Sequence, residues 1–396
     1  MKKVRVLALA SCVAGLLTAI ACGKDEATVR ERFDGSAGGT TDGAAVDGST
    51  CGLVPPATYE SPTFETNAAQ ELGLRKTFDD LLAPMNAVEA QLEAGIAPTP
   101  ITKAQLDSLY AAGFPSVKAT STTYYQGRVS SFIDAYGAAI ADGAYVVAPP
   151  DGGDKGGVLG RYVFDGTGVD LHQAIEKGTY TAAFYNQVIS LLSNPPLTVG
   201  TIDRLVAAYG AHPSFPNNPN AAQNRDVNLA AAAARRDSKS ASSPGPYQRI
   251  RTALITAKAA VAAGESCNAE RDAALLAFQR EWERASFATV VFDLSDIITR
   301  LSTGAPDYPA VLHAFGEAVG LIAGWKTIPQ TRRVILEAQL DSLLQRVFAA
   351  DGAPIEAYKL KTGSVDAATR LQRAIGDIQS IYAFTNAEIE SFKLDN

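Results

Sequence analysis

Apolar positions fall at helical spacing through most of the chain after residue 66, and long strictly alternating runs are missing. The densest stretch is DYPAVLHAFGEAVGLIAGWK, from Asp307 to Lys326, where, apart from the weakly acidic Tyr308, only His313 and Glu317 are ionisable between the two end charges. On a helix, Val311, Leu312, Phe315, Val319 and Ile322 form one stripe, while His313, Gly316, Glu317, Gly320 and Gly324 fall opposite. Both faces are therefore expected to be buried. Each of the three glycines costs about 1 kcal/mol relative to alanine in a helix interior, tolerable only where something must approach the backbone closely.

The same periodicity predicts a helical segment over 67–94, with Pro84 kinking or dividing it, then a Thr-capped helix from Thr102 to Ala112 and another from Tyr124 that stops at Gly143. Residues 144–166 break the pattern and predict an irregular stretch or small β-hairpin. Asp170 is expected to cap a central helix, DLHQAIEKGTYTAAFYNQVISLLS, that ends before Asn194-Pro195-Pro196. A helix over Ile202–Tyr209, a proline-broken loop over 210–220 and an alanine-rich helix over 221–236 follow. The polar run RRDSKSASSPGP then marks a boundary. Beyond it, helices are predicted over 246–263, from an Asn268 cap to Leu301, over Gln330–Phe348, 365–383 and 385–392. The fold class is all-α, arranged as two antiparallel helical bundles over 62–236 and 246–396, with the small insertion near 144–166.

The first residues read differently. Lys2, Lys3 and Arg5 precede an apolar run from Val6 to Ile20, and Ala19-Ile20-Ala21-Cys22 resembles a bacterial lipoprotein cleavage site. On that reading 1–21 is a signal peptide and Cys22 carries the lipid; a secretory signal cleaved after Ala21 and an uncleaved anchor are the alternatives. Gly23 rather than Asp after the cysteine favours outer-membrane sorting. Residues 22–61, rich in Gly, Ser, Thr, Asp and Ala, are expected to form a flexible tether. Losing Lys2, Lys3 and Arg5 takes the formal charge from −7 to −10, which argues against nucleic acid as a partner. Cys51 and Cys267 remain; they could pair as a disulfide in an oxidising compartment or stay as two free thiols.

His313 and Glu317 stand at i and i+4, a spacing that lets both reach one point, as two metal ligands or as a carboxylate-oriented imidazole. The bland alternative is a mutually satisfied buried pair or a hydrogen bond to a neighbouring helix. The spacing recurs at His172 and Glu176, and both pairs follow a leucine near the start of an apolar helix. Asp293 and Asp296 share a predicted face with Phe278, Trp282, Arg271 and Arg300, where they could hold a hard cation or carry raised pKa values, or else pair with an arginine or cap a neighbouring helix. HExxH, GxSxG and a phosphate-cradling Gly-rich loop are missing, and neither Cys51 nor Cys267 has a nucleophile context, so no catalytic residue is expected.

The segments DLHQAIEKGTYTAAFYNQ (170–187), LVAAYGAHPSFPNN (205–218), ERDAALLAFQREWERASFATVVFDLSD (270–296) and LHAFGEAVGLIAGW (312–325) resemble the imelysin-like bacterial lipoproteins, in a branch that is mainly of unknown function. The resemblance implies two helical bundles and a link to iron uptake, with a metallopeptidase label on some relatives. The GxHxxE motif of those relatives is altered here: Val311 stands at the glycine, and HxxxE replaces HxxE, so His313 carries over and Glu317 does so one residue displaced. That displacement turns the carboxylate by 100° and argues against the peptidase label. The expectation is a lipid-anchored envelope binding protein with iron, zinc or haem as ligand. A metal-free helical scaffold for an envelope protein or glycan is the alternative.

Overall fold

A computed structural model describes residues 51–149, 155–218, 223–237 and 244–395. The signal segment 1–21, the lipidation residue Cys22 and the tether up to residue 50 lie outside the described residues. Residues from 51 onward belong to one compact unit. The elements are α1 (Phe64–Asn67), α2 (Ala69–Glu93), α3 (Lys103–Tyr110), α4 (Val117–Thr120), α5 (Thr123–Asp142), the hairpin β1 (Gly157–Leu159) and β2 (Tyr162–Phe164), α6 (Leu171–Thr179), a π-helical turn (Tyr180–Tyr185), α7 (Asn186–Leu192), α8 (Val199–Tyr209), α9 (Asn228–Arg236), α10 (Pro246–Ala263), α11 (Asn268–Leu301), α12 (Tyr308–Ala323), α13 (Glu337–Arg346), α14 (Lys359–Thr362), α15 (Ser364–Tyr382) and α16 (Asn386–Phe392). Among the described residues the fold is all-α with one small antiparallel hairpin, in the register Gly157↔Phe164 and Leu159↔Tyr162.

The glycine-lined face of α12 meets α6. A Cβ on Gly316 would lie 2.8 Å from the Asp170 Cβ, on Gly320 3.1 Å from the Ala174 carbonyl oxygen, and on Gly324 2.6 Å from the Gly178 carbonyl oxygen. Contacts advance by one turn on both helices together, so this central pair runs parallel rather than antiparallel. The close approach anticipated from the glycines is therefore made by the helix that carries the other HxxxE motif.

One hydrophobic core crosses the boundary at 237–246. Tyr185 and Tyr209, from before it, pack against Trp282 and Trp325, from after it, with ring centroids 5.0–5.3 Å apart. The two bundles anticipated on either side thus share their interior.

Several boundaries differ from expectation for identifiable reasons. Pro84 does not divide α2, because Phe78, Leu81, Leu82, Met85 and Val88 bury one continuous face around it. The tether expected to reach residue 61 is docked from Cys51 onward. Cys51 pairs with Cys267 in a disulfide, Tyr59 and Ser61 donate to Asp203, and Arg251 and Lys258 donate to the carbonyls of Ala57 and Glu60. The alanine-rich helix starts at Asn228 rather than 221, since the Val227 N–H bonds Gly210 and Asp226 binds the His212 N–H and the Tyr247 hydroxyl. Cys267, not Asn268, is the N-cap of α11. The helix expected over Gln330–Phe348 begins only at Glu337, because the buried Glu283 carboxylate takes the N–H groups of Val334 and Ile335 at 2.6 and 2.7 Å and the Tyr382 hydroxyl at 2.7 Å.

Candidate functional site

The two HxxxE helices, α6 and α12, bring their polar residues into one network. Asp170 caps α6, its Oδ1 accepting the Gln173 N–H, while its Oδ2 lies 2.9 Å from Nδ1 of His313. Asp170 itself is fully buried. The His313 ring is 22% exposed at its side chain and stacks on Tyr162 of β2, with centroids 4.2 Å apart. Tyr162 in turn lines a cleft of about 470 Å³ together with Glu93, Arg161 and Asp307. Arg161 lies over the outer part of this wall, 5.1 Å from the Tyr162 ring centroid and 3.2 Å from Glu93.

Deeper in, Nδ1 of His172 is 2.5 Å from Glu89 of α2, and its Nε2 lies 3.9 Å from Glu176. Glu176 also accepts the Tyr180 hydroxyl. The Lys177 ammonium sits 3.1 Å from a carboxylate oxygen of Glu176 and 3.1 Å from one of Glu317. The glutamates of the two motifs therefore do converge, but on an ammonium supplied by the chain.

The charges follow from these contacts. Burial opposes ionisation of Glu176, yet the Lys177 and His172 charges and the Tyr180 bond outweigh it and pull its pKa down to about 2. Lys177 is held well above the ordinary lysine value, burial being overcome by Glu176, Tyr180 and Glu317. For His313 burial alone would lower the pKa, but the hydrogen bond and charge of Asp170 raise it; Glu89 does the same for His172. Both imidazoles favour the folded state below the unfolded histidine value near 6.5, and that stability is lost as pH rises through the raised folded values.

The predicted residues thus separate. His313 and Glu317 do not point at one another's ligand position: His313 takes Asp170, and Glu317 takes Lys177. His172 and Glu176 remain neighbours. Asp293 and Asp296 split, since Asp296 bonds Arg300 on the surface at 2.6 Å while Asp293 is 2% exposed and its Oδ2 has no hydrogen-bond partner. Among the described residues, the one group of three His, Cys, Asp or Glu ligand atoms within 4.8 Å of one another is Cys51, Cys267 and Glu270. From the sequence Asp170 is legible only as a helix cap, and Glu89, Tyr162 and Lys177 do not stand out. Lys177 follows Glu176 directly and could have been noticed as its counter-ion. Glu89 could not, because its partner is 83 residues away.

Burial, and after it the nearby Glu317 charge, push the Asp293 carboxyl well above the usual carboxylate range. The folded state thus holds this proton more tightly than the unfolded chain, and stability declines as pH rises above the unfolded Asp value near 3.9. Asp293→Asn is expected to stabilise the protein by about 1–3 kcal/mol at pH 8 and by less at pH 5. Urea unfolding at the two pH values checks this, and a destabilised or pH-indifferent variant would contradict it.

Fold and site together define a helical-bundle protein with a buried acid–base network that reaches a surface cleft through His313 and Tyr162. The chain matches no protein-family model, no curated protein and no solved structure. Among the described residues, no helix is long and apolar enough to cross a membrane.

Proposed function

We propose that this chain is a cell-envelope binding protein, lipid-anchored at Cys22 and sorted to the outer membrane by the Gly23 that follows, whose ligand is iron or haem and whose ligand residue is His313. One arrangement carries the reading. A buried carboxylate, Asp170, holds Nδ1 of a part-exposed imidazole, which leaves Nε2 free of that bond, and the ring stacks on Tyr162, a residue that lines the cleft. Metal-ligating histidines are oriented by such carboxylates, which fix the tautomer and raise the basicity of the free nitrogen. The resemblance to imelysin-like lipoproteins supports iron as the metal, and the altered HxxxE spacing supports binding over peptide hydrolysis.

The test is a calorimetric titration of the purified full chain with ferric, ferrous and zinc ions and with haem. His313→Ala is expected to abolish the binding heat. Asp170→Asn, which keeps an N-capping side chain, should weaken binding roughly 10–100-fold. Because the metal needs the neutral ring and the His313 pKa is raised, affinity should increase as pH climbs through that value. Equal binding by wild type and His313→Ala would overturn the proposal. A metal-free scaffold is the alternative that one contact favours, since Lys177 already occupies the cation position between Glu176 and Glu317. In that case His313→Ala would lower the melting temperature and change no ligand isotherm.

A further inference from the structure

Far from the His313 cleft in sequence, three ligand atoms gather where the chain's N-terminal arm meets α11. Cys51 and Cys267 are disulfide-bonded across a separation of 216 residues, with Cα atoms 5.1 Å apart. Glu270, in the first turn of α11, places a carboxylate oxygen within 4.8 Å of both sulfurs. Its Oε2 is buried and has no hydrogen-bond partner. A buried carboxylate oxygen without a hydrogen-bond partner in the protein is open to a proton, a water or a cation.

We propose that Cys51, Cys267 and Glu270 form a redox-gated site for a thiophilic divalent cation, zinc being the best fit. A dithiol reductant opens the site by thiol–disulfide exchange: it delivers two electrons to the Cys51–Cys267 bond, becomes a disulfide itself and leaves two thiols. Cation binding then releases both thiol protons to solvent, giving two thiolates and one carboxylate on the metal. Two sulfurs and one oxygen supply three corners of the tetrahedron zinc favours, with Zn–S near 2.3 Å and Zn–O near 2.0–2.2 Å. Soft thiolates select against magnesium and calcium. Cys267 is the N-cap of the 34-residue helix α11, whose positive end favours its thiolate. Cys267 is buried while Cys51 is part-exposed, so a reductant reaches the bond from the Cys51 side. The cation would keep the arm stapled to α11 when the disulfide is reduced.

The test uses the full chain, reduced with a phosphine, freed of it under anaerobic conditions and titrated with cobalt(II), then zinc. The reduced chain should develop cobalt–thiolate charge-transfer absorbance that saturates at a single cobalt per chain and disappears as zinc displaces it. The oxidised chain should show none. Cobalt bound at His313 gives no thiolate band, so this outcome is read independently of the cleft. Cys51→Ser should lose the two-thiolate spectrum. Glu270→Gln retains the disulfide during folding, and should weaken cobalt by at least the roughly 10–100-fold seen on losing an outer-shell partner. A reduced chain without the thiolate band, or unchanged affinity in Glu270→Gln, would overturn the proposal.

Discussion

Lys177→Met should cost the protein about 3–5 kcal/mol at neutral pH, the usual result of removing one partner from a buried ion pair. Lys177 and both of its glutamates are less than one-fifth exposed at their side chains, so solvent cannot replace the lost ammonium. Asp293 lies in the same electrostatic neighbourhood and would feel the loss as well. The pH dependence gives the prediction its signature. The depressed Glu176 contributes stability above its unfolded value near 4.3, and that stability is lost as pH falls toward about 2. The raised Lys177 contributes below the unfolded lysine value near 10.4 and loses its contribution above the folded value. Wild type and variant should therefore differ most between about pH 5 and pH 10, and converge in acid as the carboxylates protonate. Urea unfolding across this range measures it; a deficit below about 1 kcal/mol, typical of exposed pairs, would contradict the buried network.

Gly324→Val should be more damaging than the same change at Gly316 or Gly320 of α12, costing about 3 kcal/mol, the upper end of ordinary overpacking. Gly324 has φ −58°, a conformation any residue adopts, so backbone strain is not the cause. The obstacle is the Gly178 carbonyl oxygen, 2.6 Å from the position of an added Cβ, and a backbone atom cannot rotate away. Gly73 supplies the contrast within the same protein. It lies inside α2 with nothing within 4 Å of an added Cβ, so Gly73→Ala should stabilise by about 0.5–1 kcal/mol. Thermal unfolding of the two variants decides the matter. If Gly324→Val proved as mild as Gly73→Ala, the two helices could not be as close as the structure places them.

What the sequence made legible was local. The apolar stripe and glycine face of 307–326 gave a helix buried on both sides, and Thr102, Asp170 and Gly143 marked helix ends where the structure has them. The wrong boundaries arose from partners distant in sequence. Glu283 draws Val334 and Ile335 out of helical geometry from 51 residues away, and nothing in the apolar pattern near 330 announces it. The π turn at Tyr180–Tyr185 likewise sits inside a run whose periodicity reads as plain helix.

The candidate site was half legible for the same reason. Both HxxxE motifs lie in it, but spacing within one helix gave His313 the wrong carboxylate. Its true partner, Asp170, stands on the other helix, and the parallel packing enforced by Gly316, Gly320 and Gly324 brings it there.

The most direct measurement is an absorbance titration of the full chain with ferric haem and ferric iron, run side by side on wild type and His313→Ala. Saturation at one equivalent in wild type, lost in the variant while its fold is intact by circular dichroism, is the predicted result. Absence of binding in wild type, or identical titrations in both, would contradict His313 as the ligand residue and leave the Asp170–His313 pair as part of the helix packing.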